Sequence, residues 1–303
     1  MYHSLLSYCK KYKINDCLIL PKQPMAALTT FGIGGPCEAY LVPESESSFL
    51  SVLSFLADSG YPFRFLGNGS NLLIPDEGIE CAVLSTRGLS HIEYSGTAVT
   101  AGAGILLSQL IKRAGESEIG GFESLFGIPA TLGGALYMNA GAFSRTVASF
   151  VESVRCYSPA EGRVFTLSAD ECGFAYRKSR FQKSGELILS ATLKGIPRDP
   201  AEIKADLDAI AKKRKEKQPL HQKSAGSTFL RPPQGYAGAY VEGAGLKGFR
   251  LGNAAVSDKH AGFIVNLGGA TATEVRALIA LVKERVFEAF GVTLCEEIED
   301  WGE

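Results

Sequence analysis

The clearest hydrophobic pattern lies near the C-terminal end of the chain, where apolar residues recur at helical spacing after Thr271. These positions are Val275, Leu278, Val282 and Val286. Thr271 and Glu274 have the spacing of a capping box, and Gly291 is typical of a residue that ends a helix. The pattern therefore predicts one long amphipathic helix between Thr271 and Gly291.

Three further helices are predicted from similar signals. They cover residues 46–58, with Ser45 as N-cap and Gly60 beyond the end; residues 105–115, closed by Gly115; and residues 200–217, with Asp199 as N-cap, Pro200 at the first position and a basic end at 212–217. In the last helix Asp199 and Glu202 are expected to form a capping box, and the apolar face is Ile203, Leu207 and Ile210.

Short β-rich runs, such as residues 63–66, 98–101 and 186–193, fill much of the first two thirds of the chain. Because these strands are not each followed by a helix, the pattern favours an α+β fold over a doubly wound parallel sheet. The turn-rich segment 195–200 predicts a domain boundary, giving domains of residues 1–196 and 197–303.

The composition is that of a globular protein large enough for two domains: 303 residues, of which 46% are hydrophobic. A net charge of −1 argues against a nucleic-acid partner. The start lacks a secretory signal and no apolar run is long enough to span a bilayer, so we expect a cytoplasmic location without membrane insertion. Seven scattered cysteines and four histidines without paired spacing predict neither a disulfide framework nor a metal site.

Three glycine-rich loops carry the first functional signal: residues 29–35, 67–71 and 120–143. Successive backbone N–H groups in such loops can bind phosphate oxygens, so three of them predict a large ligand with a diphosphate. The alternative for each loop alone is a set of tight turns between strands. Residues 243–248 also fit GxGxxG, but extended chain follows where a dinucleotide-binding motif requires a helix, so we do not assign them to a nucleotide.

Six motifs occur in the same order as in the UDP-N-acetylenolpyruvoylglucosamine reductases, which the chain resembles over nearly its whole length. They are GNGSNLL from Gly67, GIPATLGGALYMNAGAF from Gly127, YRKSRF from Tyr176, SAGSTF from Ser224, GLKGFRLGNAAVSDKHAGFIVN from Gly245 and LCEEIEDWG from Leu294. The resemblance implies a two-lobed FAD-binding domain of the vanillyl-alcohol-oxidase (PCMH) type and a smaller α+β substrate-binding domain. Its tail, residues 292–303, is expected to return toward the flavin, and the short passage after Phe181 is similar to the compact second type of the family.

The implied activity is the NADPH-dependent reduction of UDP-N-acetylglucosamine enolpyruvate to UDP-N-acetylmuramate, a step of peptidoglycan precursor synthesis. The FAD is expected to be noncovalent, because GNGSN holds no histidine or cysteine. The residues implied to bind FAD are Gly32, Ile33, Gly34, Gly35, Gly67, Asn68, Gly69, Ser70, Asn71, Gly127, Ile128, Pro129, Gly133, Gly134, Asn139, Gly141 and Ala142.

Three residues match the catalytic positions of the family. Ser227 matches the proton donor, Arg177 matches the arginine that binds the substrate carboxylate, and Glu297 matches the acid that supports the enol intermediate or a proton relay. The three are expected to meet across the flavin. Residues matched to substrate contacts are Tyr176, Lys217, Arg231, Asn253, Ser257 and His260.

The chain departs from the family pattern at Arg231, at Asn68 and in the acidic ending, residues 296–300. Two alternatives therefore stay open. One is another FAD oxidoreductase of the same fold that acts on a sugar or lactone, and the other is a catalytically silent homologue that binds a UDP-sugar or flavin. The sequence does not define an oligomeric state, and a monomer is the simplest expectation.

Overall fold

The computed structural model describes residues 2–302 of the chain. The helices are α1 Tyr2–Lys11, α2 Glu46–Asp58, α3 Leu107–Glu116, α4 Leu132–Tyr137, α5 Phe181–Ser184, α6 Pro200–Lys217, α7 Ala237–Gly243 and α8 Ala272–Phe290. Across these helices, no stretch is both long and apolar enough to cross a membrane.

The strands, numbered along the chain, are β1 Cys17–Pro21, β2 Cys37–Pro43, β3 Phe63–Leu66, β4 Leu72–Leu73, β5 Ile79–Ser85, β6 Ile92–Ser95, β7 Ala98–Gly102, β8 Ile119–Gly120, β9 Gly141–Ala142, β10 Arg145–Thr146, β11 Val151–Ser158, β12 Arg163–Ser168, β13 Leu187–Lys194, β14 Ile196–Pro197, β15 Lys223–Ser227, β16 Arg250–Leu251, β17 Ala254–Val256, β18 Phe263–Asn266 and β19 Glu299–Asp300. The predicted strand at 63–66 is confirmed; the one at 98–101 extends one residue further, and the one at 186–193 is shifted by one residue at both ends.

The chain divides into two compact units. The first holds the residues up to Pro21, Ala39–Asn68 and Cys81–Lys212. It contains a mixed sheet in the order β1-β2-β5-β3 and a five-stranded antiparallel sheet in the order β12-β11-β13-β7-β6. Two separate sheets with helices packed against them confirm the α+β prediction.

The second unit holds Lys22–Glu38, Gly69–Glu80 and the residues from Lys213 onward. Its antiparallel sheet has the order β15-β18-β17-β16, and α8 packs on it through the predicted apolar face, which is fully buried. Phe31, Ile33 and Leu73 belong to the same hydrophobic core, which explains why the loop at 29–35 and residues 69–71 group with the C-terminal unit. The predicted domains, residues 1–196 and 197–303, are each one continuous segment, whereas each compact unit combines several segments. The predicted domain boundary stays a prediction.

Helix boundaries that depend on local signals are confirmed. Ser45 caps α2 and Thr271 caps α8, each in a capping box, and Gly291 ends α8 with φ +66°. Asp199 accepts the N–H of Ala201 at 2.7 Å and so caps α6. The second bond of the predicted capping box, in which the Glu202 carboxylate would accept the N–H of Asp199, does not form within residues 2–302. The Glu202 carboxylate instead lies 3.6 Å from the guanidinium of Arg198.

The predicted extent of α3 is wrong at both ends. The helix begins at Leu107 because Ile105 and Leu106 pair with residues 131–132: the Ile105 carbonyl accepts the N–H of Leu132 at 2.8 Å. Gly115 does not close the helix but lies inside it, buried against the side chain of Ile203, where a Cβ would come within 2.9 Å. A tertiary contact, rather than a helix end, accounts for this glycine.

Asp76 caps α8 from outside the helix. Its carboxylate accepts the N–H groups of Ala272 and Thr273 at 2.7 and 3.0 Å. Burial opposes ionisation, but these bonds outweigh it and hold the pKa of Asp76 below its ordinary value.

We expect Asp76→Ala to lower the free energy of unfolding by about 1 kcal/mol, because two orphan N–H groups lose their acceptor. The contribution of the wild-type carboxylate is fully present above its unfolded pKa of about 4 and is lost as pH falls through the lower folded pKa. Thermal unfolding at neutral and acidic pH measures both effects. Glu284→Ala on the exposed face of α8 is the control, and equal losses in the two variants would contradict the capping role.

Candidate functional site: glycine loops and the C-terminal junction

The predicted site residues are distributed over both units. The first unit holds Gly67, Asn68, Gly127, Ile128, Pro129, Gly133, Gly134, Asn139, Gly141, Ala142, Tyr176 and Arg177. The second unit holds Gly32, Ile33, Gly34, Gly35, Gly69, Ser70, Asn71, Lys217, Ser227, Arg231, Asn253, Ser257, His260 and Glu297.

Two of the predicted phosphate-binding loops are joined in the second unit. The N–H of Thr30 donates to the carbonyl of Gly69 at 3.1 Å, and its hydroxyl donates to the carbonyl of Ser224 at 2.7 Å. Thr30 thus ties the loop at 29–35 to the loop at 69–71 and to β15. The two loops are held together by the protein itself.

Backbone donors in these loops are left for a ligand. Within residues 2–302, the N–H groups of Ile33, Gly34, Gly69 and Ser70 donate to no protein acceptor. Ile33 and Gly69 are buried as residues, and a backbone N–H without a protein acceptor favours an added acceptor. Gly69 has φ +61°, as expected where successive N–H groups turn toward an anion. These donors fit the diphosphate of FAD.

Asn266 supports the loop at 29–35, and the sequence reasoning missed it. The amide is buried at the end of β18, where its Nδ2 donates to the carbonyl of Phe31 at 3.0 Å. Its Oδ1 accepts the N–H groups of Gly268 and Ala270. An asparagine that ends an otherwise apolar strand, FIVN, is the signal that could have identified it.

Ser227 and Glu297 lie on adjacent chain segments. The N–H of Glu297 donates to the carbonyl of Thr228 at 2.8 Å, next to an antiparallel bridge between Phe229 and Glu296. Asn71 joins the same arrangement, because its Nδ2 donates to the carbonyl of Glu297 at 3.0 Å. We call residues 69–71, 226–229 and 295–299 the C-terminal junction.

The junction leaves the Ser227 hydroxyl unengaged. Ser227 is half-buried at the end of β15, and within residues 2–302 its hydroxyl makes no hydrogen bond to another residue. Thr228 is buried instead, with its hydroxyl accepting the N–H of Ile264 at 3.1 Å. Of the two hydroxyls, that of Ser227 is the one available to a ligand.

The acidic ending is neutralised on either side of Glu297. Glu296 pairs with Lys283 at 2.8 Å, and Asp300 forms a bidentate pair with Arg276 at 2.6 and 2.7 Å. Burial opposes ionisation of Asp300, but the bonds from Arg276 and the N–H of Gly302 hold its pKa below the ordinary value. Two of the unusual carboxylates are therefore occupied in ion pairs.

In the first unit, the loop at 67–68 packs on the start of α4. A Cβ on Gly67 would lie 2.5 Å from the hydroxyl of Thr131, the residue that caps α4, so no larger residue fits. The Asn68 amide donates to the carbonyl of Pro129 at 2.7 Å. Gly133 lies against Ala103, and its N–H donates to the Ala103 carbonyl at 2.8 Å. These glycines therefore pack closely against the protein itself, and their contacts with FAD stay a prediction.

Arg177 sits at the tip of a tight turn. Ala175 and Lys178 exchange backbone hydrogen bonds across it, and Arg177 has φ +53°, a conformation that costs energy for a non-glycine residue. The guanidinium lies 5.5 Å from the ring centroid of the exposed Tyr176. The Asn139 amide donates to the carbonyl of Ala175 at 2.8 Å, so this residue of a glycine-rich segment holds the turn.

The remaining predicted substrate residues differ in their surroundings. Lys217, Arg231 and Asn253 are exposed, and the Arg231 guanidinium stacks on Tyr236 at 3.9 Å. Ser257 is 1% exposed, and its hydroxyl accepts the N–H groups of Lys259 and His260, which gives it a structural task in the turn. Its substrate contact stays a prediction.

His260 is held as a neutral ring. The N–H of Gly262 donates to its Nδ1 at 3.1 Å, and burial lowers the pKa of His260. This arrangement leaves the proton on Nε2, which can donate but not accept. His260 can therefore offer one hydrogen-bond donor to a ligand at neutral pH.

Comparison with known proteins decides the family. A model of the UDP-N-acetylenolpyruvoylglucosamine reductase C-terminal domain matches residues 218–301, and an FAD binding domain matches residues 37–168. A UDP-N-acetylenolpyruvoylglucosamine reductase from Caldanaerobacter subterraneus subsp. tengcongensis is 42% identical over 281 residues, which is 93% of each chain. The chain belongs to the UDP-N-acetylenolpyruvoylglucosamine reductase family.

Other members of the reductase family agree with this placement. A relative of the same name from Clostridioides difficile is 42% identical over 282 residues, covering 93% of this chain and 92% of its own. The crystal structure of the reductase from Thermus caldophilus superposes with a TM-score of 0.79 at 34% identity, over 94% of this chain and 98% of that one. The prediction of an FAD-binding α+β fold with a reductase-type C-terminal domain is confirmed.

Proposed function

We propose that the protein reduces the enolpyruvyl group of UDP-N-acetylglucosamine enolpyruvate to the lactyl group of UDP-N-acetylmuramate, a step of peptidoglycan precursor synthesis. NADPH is the hydride donor and FAD the noncovalent cofactor. The reaction balances as addition of one hydride and one proton across the carbon–carbon double bond. The observation that carries the proposal is the C-terminal junction, which places Ser227 and Glu297 on hydrogen-bonded segments in a chain of this family. A cytoplasmic location belongs to the proposal, since NADPH and UDP-sugars are found there.

FAD, when bound, supplies hydride transfer from NADPH to the substrate. The chain binds it through the backbone donors of the loops at 29–35 and 69–71, whose N–H groups take the diphosphate oxygens. Gly67 and Gly133, whose Cβ positions would meet Thr131 and Ala103, let the backbone of their own unit take up the conformation that contacts the cofactor. The role of each glycine as an FAD contact belongs to this proposal.

Ser227 delivers the proton. Hydride addition at the methylene carbon places negative charge on the adjacent carbon, where the oxygens of the substrate carboxylate share it as an enolate, and such a strong base can take a proton from a hydroxyl. Glu297 supports this proton transfer from the neighbouring segment. Arg177 takes the substrate carboxylate, for which a planar guanidinium is suited, and stabilises charge that develops on the enolate oxygens.

Exposed cations and donors of the second unit bind the nucleotide-sugar end. Lys217 and Arg231 supply positive charge for the diphosphate, and Asn253 and His260 supply hydrogen-bond donors. Tyr176 lies beside Arg177 and contacts the substrate near its carboxylate.

Product analysis tests the proposed function. Purified protein with NADPH and the enolpyruvyl substrate is expected to yield a product with two added hydrogen atoms and one NADP⁺ for each product molecule. Reactions without the substrate and under oxygen serve as controls. Oxygen consumption on a sugar or lactone without NADPH would overturn the proposal in favour of an oxidase, and tight UDP-sugar binding without product would indicate a silent homologue.

A further inference from the structure

Asn71 holds the chain on both sides of Glu297. Its side-chain Nδ2 donates to the carbonyl of Glu297 at 3.0 Å, and its own carbonyl accepts the N–H of Glu299 at 2.8 Å. The second bond begins the parallel pairing of β4 with β19. A residue of the predicted cofactor loop is thus bonded to the segment that carries a predicted catalytic acid.

A third bond completes the restraint of Glu297. Its N–H donates to the carbonyl of Thr228 at 2.8 Å, one residue after Ser227. Both peptide groups that flank the Glu297 Cα are therefore fixed, one by Thr228 and one by the Asn71 side chain. Because the positions of N and C around a Cα set the direction of Cβ, these bonds determine where the Glu297 side chain leaves the backbone.

The hydrogen-bond donors of the loop at 69–71 fall into two groups, those without a protein acceptor and the one that binds Glu297. The N–H groups of Gly69 and Ser70 have no protein acceptor within residues 2–302, which leaves them for a ligand. The side-chain amide of Asn71 instead donates a hydrogen bond to the carbonyl of Glu297. The contacts of Asn71 thus differ from those of the two residues before it.

We propose that Asn71 is a positioning residue, which acts through Glu297 by fixing the direction in which its side chain leaves the backbone. The inference rests on the proposed function and deepens it. A small displacement of a catalytic group is enough to slow a reaction by about 10²-fold, whereas a single hydrogen bond contributes little to the stability of the fold. Loss of the Asn71 amide should therefore cost more in rate than in stability.

Rapid-reaction kinetics on the FAD-loaded protein tests the proposal. Wild-type protein is measured first, since failure of its reduced flavin to be reoxidised by the enolpyruvyl substrate would contradict the proposed function rather than the role of Asn71. In Asn71→Ala we expect flavin reduction by NADPH to stay within about 3-fold of wild type, while reoxidation by substrate slows by about 10- to 100-fold.

A double-mutant cycle separates positioning from a direct role. If Asn71 acts through Glu297, adding Asn71→Ala to Glu297→Gln should slow reoxidation by no more than about 3-fold beyond Glu297→Gln alone. Asn68→Ala is the matched control, because this asparagine of the same loop bonds to Pro129. The factors by which Asn68→Ala and Glu297→Gln each change the rate of reoxidation should multiply in the double variant.

Hydrogen exchange of the protein without cofactor gives a readout that does not depend on activity. Amides in the peptide at 295–300 should exchange faster in Asn71→Ala than in wild type and stay unchanged in Asn68→Ala. If the alanine variant does not fold, Asn71→Asp, which keeps the size but loses the donor, replaces it. Multiplicative combination with Glu297→Gln, or lost FAD affinity with normal reoxidation after reconstitution, would overturn the proposal.

Discussion

Replacing Ser227 with alanine is expected to slow turnover by about 10²- to 10⁴-fold while flavin reduction by NADPH persists. The hydroxyl of Ser227 makes no hydrogen bond to another residue within 2–302, so its loss removes no internal hydrogen bond. The backbone pairing of Ser227 with Phe263 is retained in the variant. The expected loss is therefore one of proton delivery and not of folding.

Stopped-flow measurement of the two half-reactions checks this prediction. Reoxidation by substrate should account for the whole loss, with thermal stability close to that of the wild type. Ser227→Cys, which keeps a proton that can be donated, should recover part of the rate. Equal turnover in wild type and Ser227→Ala would show that another group donates the proton.

Glu297→Gln is the second change for which we expect a large effect, about 10²- to 10⁴-fold on reoxidation by substrate. Glutamine keeps the shape of the side chain, and the bonds of this residue to Thr228 and Asn71 involve its backbone. The variant should thus keep these backbone bonds and lose the charge and proton affinity of the carboxylate.

The neighbouring carboxylate provides the matched control for Glu297→Gln. Glu296 forms an ion pair with Lys283 that is half exposed to solvent, and such pairs contribute about 0 to 1 kcal/mol. Glu296→Gln should therefore leave turnover within about 3-fold of wild type. A larger loss of turnover in Glu296→Gln than in Glu297→Gln would show that Glu297 is not the catalytic acid.

Local features of the fold could be predicted from the sequence. The caps of α2, α6 and α8 depend on residues within a few positions of each helix end, and their signals lie in the sequence itself. The end of α3 could not be predicted in this way. Gly115 is required by the side chain of Ile203, far along the chain, and only the folded structure brings the two together.

The site shows the same division between local and distant information. Glycines in three loops predicted a ligand with a diphosphate, which stays a prediction, and the contacts of Gly67 and Gly133 show close packing against Thr131 and Ala103 of the protein itself. The bonds of Asn266 to Phe31 and of Asn71 to Glu297 span more than two hundred positions. Sequence spacing does not indicate which residues so far apart form hydrogen bonds. The motifs could therefore be recognised from the sequence, but the hydrogen bonds that hold them in place could not.

The catalytic roles of Ser227, Arg177 and Glu297 stay predictions. Family membership gives the activity to be tested, and the junction supports a joint role for two of the three residues. Arg177 belongs to the other compact unit, and its strained turn is the feature there that points to function.

The most direct test of the central claim is an anaerobic absorbance record of the purified, FAD-loaded protein. NADPH should bleach the visible flavin band, and later addition of UDP-N-acetylglucosamine enolpyruvate should restore it. UDP-N-acetylglucosamine, which lacks the enolpyruvyl group, is the control and should leave the flavin bleached. A protein that cannot be reconstituted with FAD, or a bleached flavin that the enolpyruvyl substrate does not reoxidise, would contradict the account.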